Sequence, residues 1–260
     1  MTKKTNLSDQ KSYERIYKLH HAANIEAGGL FSTQPAHCLP ESWIDIEFKE
    51  YPQSPQVALP QPAFLSCGYD RLLTSRRSTR LFGSGQMSLN ELSTLLNLSA
   101  GISSTKPHNS SAKDWNYTRR YYPSAGARYP IEIYVMSLDV NGLENGLYHY
   151  NVKFHYLEML DSSNLSEELR TITGENWAAK AQCAIAFTAL LHRTINKYGD
   201  RGYRYVLIEA GHLMQNICTV SQALNINVCT VGGFIDDRLT SALGIDGSDE
   251  IPVYLAILGK

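Results

Sequence analysis

One long stretch of the sequence, residues 203–224, has the apolar spacing of a buried helix. Its apolar residues recur every three or four positions, which is the repeat of one helix face. Because that face is wide, we expect the helix to lie in the middle of a domain. Asn225 follows where helices often end in a left-handed residue, and residues 226–231 predict a short strand that leads into Gly232 and Gly233. The apolar residues are Val206, Leu207, Ala210, Leu213, Met214, Ile217, Cys218 and Leu224.

A series of basic residues precedes and enters this helix. Arg193, Lys197, Arg201 and Arg204 are spaced four, four and three apart, so in one continuous helix they would share a face. Tyr198 lies beside Lys197. The simplest interpretation is a solvated basic stripe, and the alternative is a functional one.

The chain divides into an N-terminal arm, residues 1–66, and a domain, residues 67–260. Residues 1–27 predict a polar helix, and residues 28–66 are rich in proline and predict an extended segment. The arm would serve for dimer contacts or for docking of a partner.

The domain has the pattern of an α+β fold, a mixed sheet of about four to five strands flanked by helices. The run at 182–191 is nearly all apolar and predicts a central strand. Ser88 and Glu91 predict a capping box at the start of a helix over 88–102. The remaining helices are predicted at 69–80, 162–173 and 236–245, a polar loop at 103–119, and the remaining strands at 131–138, 147–150, 154–160 and 251–259.

Composition excludes several classes of function. The 260 residues suffice for a full core, and 43% apolar with 19% charged residues is ordinary for a globular protein. A formal net charge of −1 gives no reason to expect nucleic-acid binding. No apolar run approaches the ~20 residues that span a bilayer, and the N-terminus lacks the apolar core of a signal peptide, so we expect a cytoplasmic protein without membrane partners.

The cysteines indicate neither a disulfide framework nor a metal site. They are odd in number, contain no CxxC pair and lie among apolar neighbours, so we expect buried free thiols and no metal ion. The five are Cys38, Cys67, Cys183, Cys218 and Cys229.

Two further segments carry candidate binding residues. Arg76, Arg77, Ser78 and Arg80 form a cluster whose guanidinium groups and hydroxyl suit a phosphate monoester, although a solvated basic loop is the simpler interpretation. The loop PSAGARYP, residues 123–130, has small residues where a planar ring could approach. An ordinary loop before a strand is equally consistent with it.

In combination these motifs resemble the nitroreductase-like flavoproteins. More narrowly they are similar to the SagB-like azoline dehydrogenases, a group that includes the dehydrogenase subunit of the microcin B synthetase. The motifs are Arg-Arg-Ser-x-Arg, PSAG-x-x-x-P, KY-x-x-RGYR followed by E-x-G-x-x-x-QN, and a late GGF, and the resemblance covers residues 70–259.

The resemblance implies a homodimer that binds FMN between its subunits. It assigns the phosphate and ribityl chain to Arg76, Arg77, Ser78 and Arg80. A loop that reaches the flavin from the partner subunit would be formed by Pro123, Ser124, Ala125 and Gly126. The backbone near flavin N5 would be Val231, Gly232 and Gly233. Lys260, at the end of the sequence, is the one cation after the last strand that could add to the phosphate site.

The implied reaction is the oxidation of a thiazoline or oxazoline in a ribosomal peptide to the aromatic thiazole or oxazole. Lys197 and Tyr198 match the pair implicated in azoline dehydrogenases, which general nitroreductases lack. Both have ordinary pKa values near 10, so a base at pH 7 needs a lowered pKa. Arg193 and Arg201 would lower the pKa of Lys197, and Asp200 would oppose them.

Implied partners are an azoline-containing precursor peptide and the cyclodehydratase subunits of a synthetase. Two alternatives remain open. One is an NAD(P)H-dependent nitro- or quinone reductase with the same fold and cofactor. The other is a non-catalytic subunit that scaffolds a peptide-modifying complex. Oxidation of a carrier-bound nonribosomal azoline is a variant of the first interpretation.

Overall fold

The computed structural model describes residues 7–22, 45–83, 85–106 and 114–260. Their helices are α1 (Leu7–Ala22), α2 (Tyr69–Ser75), α3 (Leu89–Ala100), α4 (Ser166–Thr173), α5 (His192–Tyr198), α6 (Arg201–Ala223) and α7 (Asp236–Leu243). Their strands are β1 (Gln56–Ala58), β2 (Met87–Ser88), β3 (Ile102–Ser104), β4 (Arg119–Arg120), β5 (Ile131–Ser137), β6 (Val140–Asn141), β7 (Gly146–Asn151), β8 (Tyr156–Asp161), β9 (Cys183–Leu190), β10 (Asn227–Val231) and β11 (Glu250–Gly259).

A seven-stranded sheet forms the centre of the fold. Its order is β1-β8-β7-β5-β9-β11-β10, and each neighbouring pair is antiparallel. In the described residues the parallel pairing is that of β2 with β6, in a separate small sheet. The prediction of four to five strands was therefore too low. Strand β9, predicted as central from its apolar run, is paired on both sides and buried through Ala189.

Helices cover both faces of this sheet, which confirms the α+β class. One face packs against α3 and α6 and holds the larger apolar core. The other face packs against α4 and α7. Helix α3 begins with the predicted capping box, in which the Glu91 N–H donates to the Ser88 hydroxyl and the Glu91 carboxylate accepts from the Ser88 N–H (2.9 Å).

Helix α6 is the predicted long helix and the longest in the described residues. It ends at Ala223, and Asn225 adopts the expected left-handed conformation with φ of 54°. The predicted buried positions are buried or partly buried, with one exception: Leu207 is 46% exposed, and its neighbour Ile208 is 51% exposed. Leu207 lines a cavity together with Ile16, Leu19 and His20 of α1.

Part of the predicted arm belongs to the sheet. Strand β1 pairs with β8 at the sheet edge, and Ile46 and Leu59 enter the larger core. Helix α1 confirms the N-terminal helix over Leu7–Ala22, while residues 1–6 and 23–44 lie outside the described chain. The division at residue 66 stays a prediction. Within 103–119, predicted as loop, β3 and β4 form a short antiparallel pair.

Four cysteines of the described chain are free, but Cys67 is exposed rather than buried. Cys38 lies outside the described residues. Across the described ranges, no group of three or more histidine, cysteine or acidic side chains is arranged to hold a metal ion. No helix in the same ranges has both the length and the apolar character required to cross a membrane.

Candidate functional site

The Lys197–Tyr198 pair lies at the end of α5 and packs against the 123–126 loop of the same chain. Gly126 has φ of 60°, and a Cβ built on it would lie 2.4 Å from the Tyr198 hydroxyl and 3.2 Å from Lys197 Nζ. Only a glycine leaves this space open. Two segments that are about 70 residues apart in the sequence are thus in direct contact, which ties the PSAG motif to the KY motif.

The environment of the pair separates the two pKa values. Burial lowers the pKa of Lys197, and the nearby positive charge of Arg128 lowers it further. Burial raises the pKa of Tyr198, with Tyr205 adding to the effect and Arg128 opposing it. Lysine is therefore shifted toward its neutral form, a base, while tyrosine is held in its protonated form, a donor.

The cation that acts on Lys197 is Arg128, not Arg193 or Arg201 as predicted. Arg128 Nε donates to the Arg193 carbonyl (3.2 Å), and Nη2 donates to the Asp45 carbonyl (2.5 Å). Backbone carbonyls orient the guanidinium without neutralising its charge, so the charge still acts on its neighbours.

The basic residues do not form one stripe, because the helix breaks between α5 and α6. Gly199 has φ of 54° and ψ of −146°, which ends α5. Arg193 is buried and pairs with Glu132. Arg204 instead donates to the His20 carbonyl of α1 (3.0 Å). The shared face predicted from spacing is wrong, because the spacing assumed an unbroken helix.

The PSAG loop forms one wall of an open groove beside the pair. The Ser124 hydroxyl accepts the N–H of Tyr129 (2.8 Å), which closes the loop on itself. Ala125 begins a single 3₁₀ turn. The groove has a volume of about 610 Å³, and its lining includes Arg119, Tyr121, Pro123, Ser124, Gly126 and Tyr129.

The Arg76–Arg80 cluster lies along the free edge of β10. The Thr79 N–H donates to the Val228 carbonyl (3.0 Å), which fixes the segment to that strand. Arg77 Nη1 donates to two backbone carbonyls, and Arg80 lies 5.7 Å from the Trp177 ring. Within the described residues, none of the cluster's arginines forms an ion pair with a carboxylate. Cations that no carboxylate neutralises are suited to an anionic ligand.

The backbone at the end of β10 is open. Val231 is the last residue of the strand, and Gly232 and Gly233 follow it in exposed positions. A Cβ on either glycine would meet nothing within 4 Å. Ser78 is likewise exposed, on the segment that Thr79 fixes to β10. The arginine cluster and the glycine pair therefore lie along one strand.

Lys260 is engaged elsewhere. Its Nζ pairs with Glu91 at the start of α3 (2.5 Å), and both side chains are partly exposed. Lys260 is thus directed at a carboxylate, and a phosphate at this edge would rest on the Arg76–Arg80 cluster.

The candidate residues form two groups at opposite ends of α6. Lys197 and Tyr198 lie four and three residues before its first residue, Arg201. Ser75, next to Arg76, lines a cavity with Gln222, Ala223 and Asn225 at its last turn. The helix has 23 residues, a length of about 33 Å. The structure brings the PSAG loop to the pair and the arginine cluster to β10, and in one chain it leaves these two groups apart.

Sequence reasoning assigned no role to Arg128, Glu132 or Glu209, although Glu209 is the first residue of the E-x-G-x-x-x-QN motif. Arg128 lies inside the PSAGARYP loop, so the sequence places it next to the motif. The sequence does not show that its side chain lies near Lys197. Glu132 and Glu209 stand in apolar stretches, and a charge in such a stretch is a signal of a buried partner. The groups that act on these two carboxylates, Arg193 on Glu132 and Ser124 on Glu209, are distant from them in the sequence.

The sequence matches the Nitroreductase family over residues 73–260. The chain belongs to the nitroreductase family. The match spans α3 through β11 and includes the arginine cluster, the PSAG loop, the KY pair and the glycine pair.

Three curated relatives indicate which members of the nitroreductase family this chain is similar to. It is 33% identical over 190 residues to the nitroreductase-type protein MJ1384 of Methanocaldococcus jannaschii, which covers 73% of this chain and 89% of the relative. It is 28% identical to the microcin B17-processing protein McbC of Escherichia coli, covering 57% of each. It is 27% identical to the trifolitoxin-processing protein TfxB of Rhizobium leguminosarum bv. trifolii, covering 62% of this chain and 44% of TfxB. The matches to McbC and TfxB, rather than the match to MJ1384, confirm the resemblance to the azoline-dehydrogenase group.

Solved structures share the fold. A nitroreductase from Anabaena variabilis superposes with a TM-score of 0.72 at 27% identity, covering 94% of this chain and 46% of that one. The E. coli microcin synthetase McbBCD complex with bound truncated pro-MccB17 gives 0.58 at 20% identity, with coverage of 99% and 98%. A nitroreductase of Exiguobacterium sibiricum in complex with FMN gives 0.52 at 14% identity, with coverage of 76% and 90%.

Proposed function

We propose that this chain is an FMN-dependent azoline dehydrogenase that oxidises peptide thiazolines or oxazolines to thiazoles or oxazoles in the biosynthesis of ribosomal peptides. The observation that carries the proposal is the contact of Lys197 and Tyr198 with Gly126, which places a base and a donor at the PSAG loop. The processing roles named for McbC and TfxB support the same substrate class.

The described residues fit FMN. The arginine cluster would hold the phosphate, because its cations are not paired with carboxylates and Ser78 adds a hydroxyl. Gly232 and Gly233 leave their backbone open to a planar ring, with Val231 beside them. Pro123, Ser124, Ala125 and Gly126 would reach that ring from the partner subunit. When bound, FMN supplies the acceptor for the hydride that leaves the azoline.

The pair supplies the proton chemistry. Aromatisation removes one hydride and one proton from the ring, and we assign the proton to Lys197 Nζ. A lowered pKa shifts Lys197 toward the neutral amine that can accept this proton. Tyr198, whose pKa is raised, stays protonated and can donate a hydrogen bond to the substrate.

We further propose that each site uses two copies of the chain. The base and the arginine cluster lie at opposite ends of α6, so two α6 helices packed antiparallel about a twofold axis would bring one copy's pair to the other copy's cluster. The outer face of α6 offers the contact surface, with Leu207 and Ile208 exposed and Gly211 leaving room for close approach.

The proposed function implies two kinds of partner, a peptide substrate and other enzyme subunits. The substrate is an azoline-containing precursor peptide, and the cyclodehydratase subunits that form the azoline are expected to assemble with this chain. The structural likeness to the microcin synthetase complex supports this at the level of fold. The arm, residues 1–66, would serve for docking, and we expect the whole assembly in the cytoplasm.

A second candidate is reduction of nitro compounds or quinones with NAD(P)H, which the similarity to MJ1384 favours. It needs the same cofactor site but gives Lys197 no role.

An absorbance spectrum of the purified protein separates the candidates. Under anaerobic conditions we expect a yellow protein that an azoline peptide bleaches, that NADPH does not bleach, and that oxygen recolours. Bleaching by NADPH alone would indicate the reductase, and a colourless chain that FMN cannot restore would indicate a scaffold.

We predict that Lys197→Ala and Tyr198→Phe lower kcat for azoline oxidation by about 10²- to 10⁴-fold, the usual contribution of a general acid or base. The FMN content should stay unchanged, because the arginine cluster is intact. Lys180→Ala, which removes an exposed lysine outside the site, is the control. Wild-type kcat in both pair variants would remove the basis of the proposal.

A further inference from the structure

Arg193 is the member of the basic series that faces into the protein. Its side chain is 2% exposed, and Nη1 donates both to the Tyr129 carbonyl (3.0 Å) and to the Glu132 carboxylate. Tyr129 belongs to the loop that carries Gly126, and Glu132 lies on β5. Arg193 itself is the second residue of α5. One guanidinium therefore joins the helix, the loop and the sheet.

A second hydrogen bond runs in the opposite direction. Arg128 Nε donates to the Arg193 carbonyl (3.2 Å), so the loop and the first turn of α5 are held by two links. Lys197 lies four residues after Arg193, one turn along the same face of α5. The close approach of Tyr198 to Gly126 thus depends on where these links place the helix.

The anchor of Arg193 is a buried series of alternating charges. The second oxygen of Glu132 contacts His149 Nε2 (2.9 Å), and His149 Nδ1 contacts Glu158 (2.7 Å). Glu158 also accepts the N–H of Tyr51 (2.9 Å). Two carboxylates raise the pKa of His149 against the effect of burial. The side chains of Glu132, His149 and Glu158 are 0–4% exposed.

A buried series of charges adds little to the stability of the fold, but it fixes the orientation of its side chains. Desolvation of buried ions offsets most of their attraction, so replacing a buried pair by apolar residues is often neutral. The planar fork of arginine, in contrast, fixes direction through several hydrogen bonds, which a lysine cannot reproduce. The contribution of Arg193 is therefore to fix the relative positions of the groups that it contacts.

We propose that Arg193 is a positioning residue that sets the placement of Lys197 and Tyr198 against the PSAG loop. The inference rests on the proposed function for what the pair does, and on the contacts above for how the pair is held.

The matched test compares Arg193→Lys with Arg204→Lys, two members of the same basic series. For Arg193→Lys we expect kcat for azoline oxidation to fall by about 10- to 100-fold, with KM and FMN content within about twofold. Amide hydrogen exchange at residues 195–198 in the full-length protein should become about tenfold faster. Arg204→Lys should change neither quantity.

A double variant guards against simple loss of folding. Glu132→Met with Arg193→Met removes the pair together and should keep the unfolding temperature close to that of the wild type. It should still show the loss of kcat and the faster exchange. A double variant that folds with wild-type kcat and exchange would overturn the proposal, as would unchanged exchange in Arg193→Lys.

The two readouts also separate this inference from the proposed function. If the wild-type protein oxidises azolines and Arg193→Lys changes neither kcat nor exchange, only the positioning role fails. If the wild type does not oxidise azolines, the proposed function fails, and faster exchange in Arg193→Lys alone would still establish that Arg193 holds α5.

Discussion

Gly126 combines two constraints at one residue. Its φ of 60° favours glycine, and the hydroxyl of Tyr198 occupies the space where a Cβ would lie. Gly174 shares only the first constraint, since its φ is 70° and a Cβ there would meet nothing within 4 Å. The two glycines therefore separate the effect of backbone strain from the effect of displacing Tyr198.

We predict that Gly126→Ala and Gly174→Ala each lower the free energy of unfolding by about 1 kcal/mol, the cost of a left-handed alanine. Only Gly126→Ala should also lower kcat, by about tenfold or more, because its methyl group displaces Tyr198. Thermal unfolding and steady-state kinetics of both variants check this. Equal kcat in the two variants would show that the contact with Tyr198 has no part in the reaction.

At the scale of the element, α6 buries a carboxyl group. Glu209 is 2% exposed, and its Oε1 has no hydrogen-bond partner in the described residues. Burial raises the pKa of Glu209 to about 8, although Ser124, Arg120 and Arg193 lower it. An acid whose pKa is raised on folding stays protonated in the folded chain and loses its proton on unfolding. It therefore makes the protein less stable as pH rises from the unfolded pKa, about 4.3, to about 8.

We predict that Glu209→Gln removes this dependence. The wild-type free energy of unfolding should fall by up to ~1.4 kcal/mol more per pH unit than that of the variant across this window. The variant should gain roughly 3 kcal/mol at pH 7. Denaturant titrations at several pH values measure both slopes, with the exposed Glu175→Gln as control. A variant that is less stable at pH 7 would show that Glu209 is ionised and paired with an arginine.

Elements set by local sequence were predictable. The apolar repeat of α6, the capping box of α3 and the apolar run of β9 each depend on neighbours within a few residues, and all three are confirmed. The breaks were not predictable to the same degree. The conformation of Gly199 separates Arg193 and Lys197 from Arg201 and ends the predicted stripe.

Contacts between charged residues that are distant in the sequence could not be predicted from local sequence patterns. The partner of Arg193 is Glu132, 61 residues away, and the segment that holds the arginine cluster binds β10 through Thr79 and Val228. Motif residues could be recognised as candidates from the sequence, but which of them meet depends on the topology of the sheet. For the same reason the cation beside Lys197 was assigned to the wrong arginines.

At the scale of the whole molecule, one chain holds two incomplete halves of the proposed site. The KY pair and the PSAG loop lie at the start of α6, and the arginine cluster lies near its end. If FMN is held by the cluster of one copy and oxidation depends on the pair of the other, then two defective chains can restore one another. A site contained in one chain cannot show this behaviour.

We predict that the dimer population formed by coexpressing Lys197→Ala with Arg76→Ala/Arg77→Ala recovers about a quarter of wild-type activity. Random association makes half of the dimers mixed, and in each mixed dimer one site carries both defects while the other carries neither. The two variants can be coexpressed with different tags, and each alone is the control. If a site were built within one chain, every site in the mixed dimers would keep one defect, and activity would stay at the level of the separate variants. Recovery near a quarter would therefore establish the dimer and the division of the site between its two subunits in one measurement.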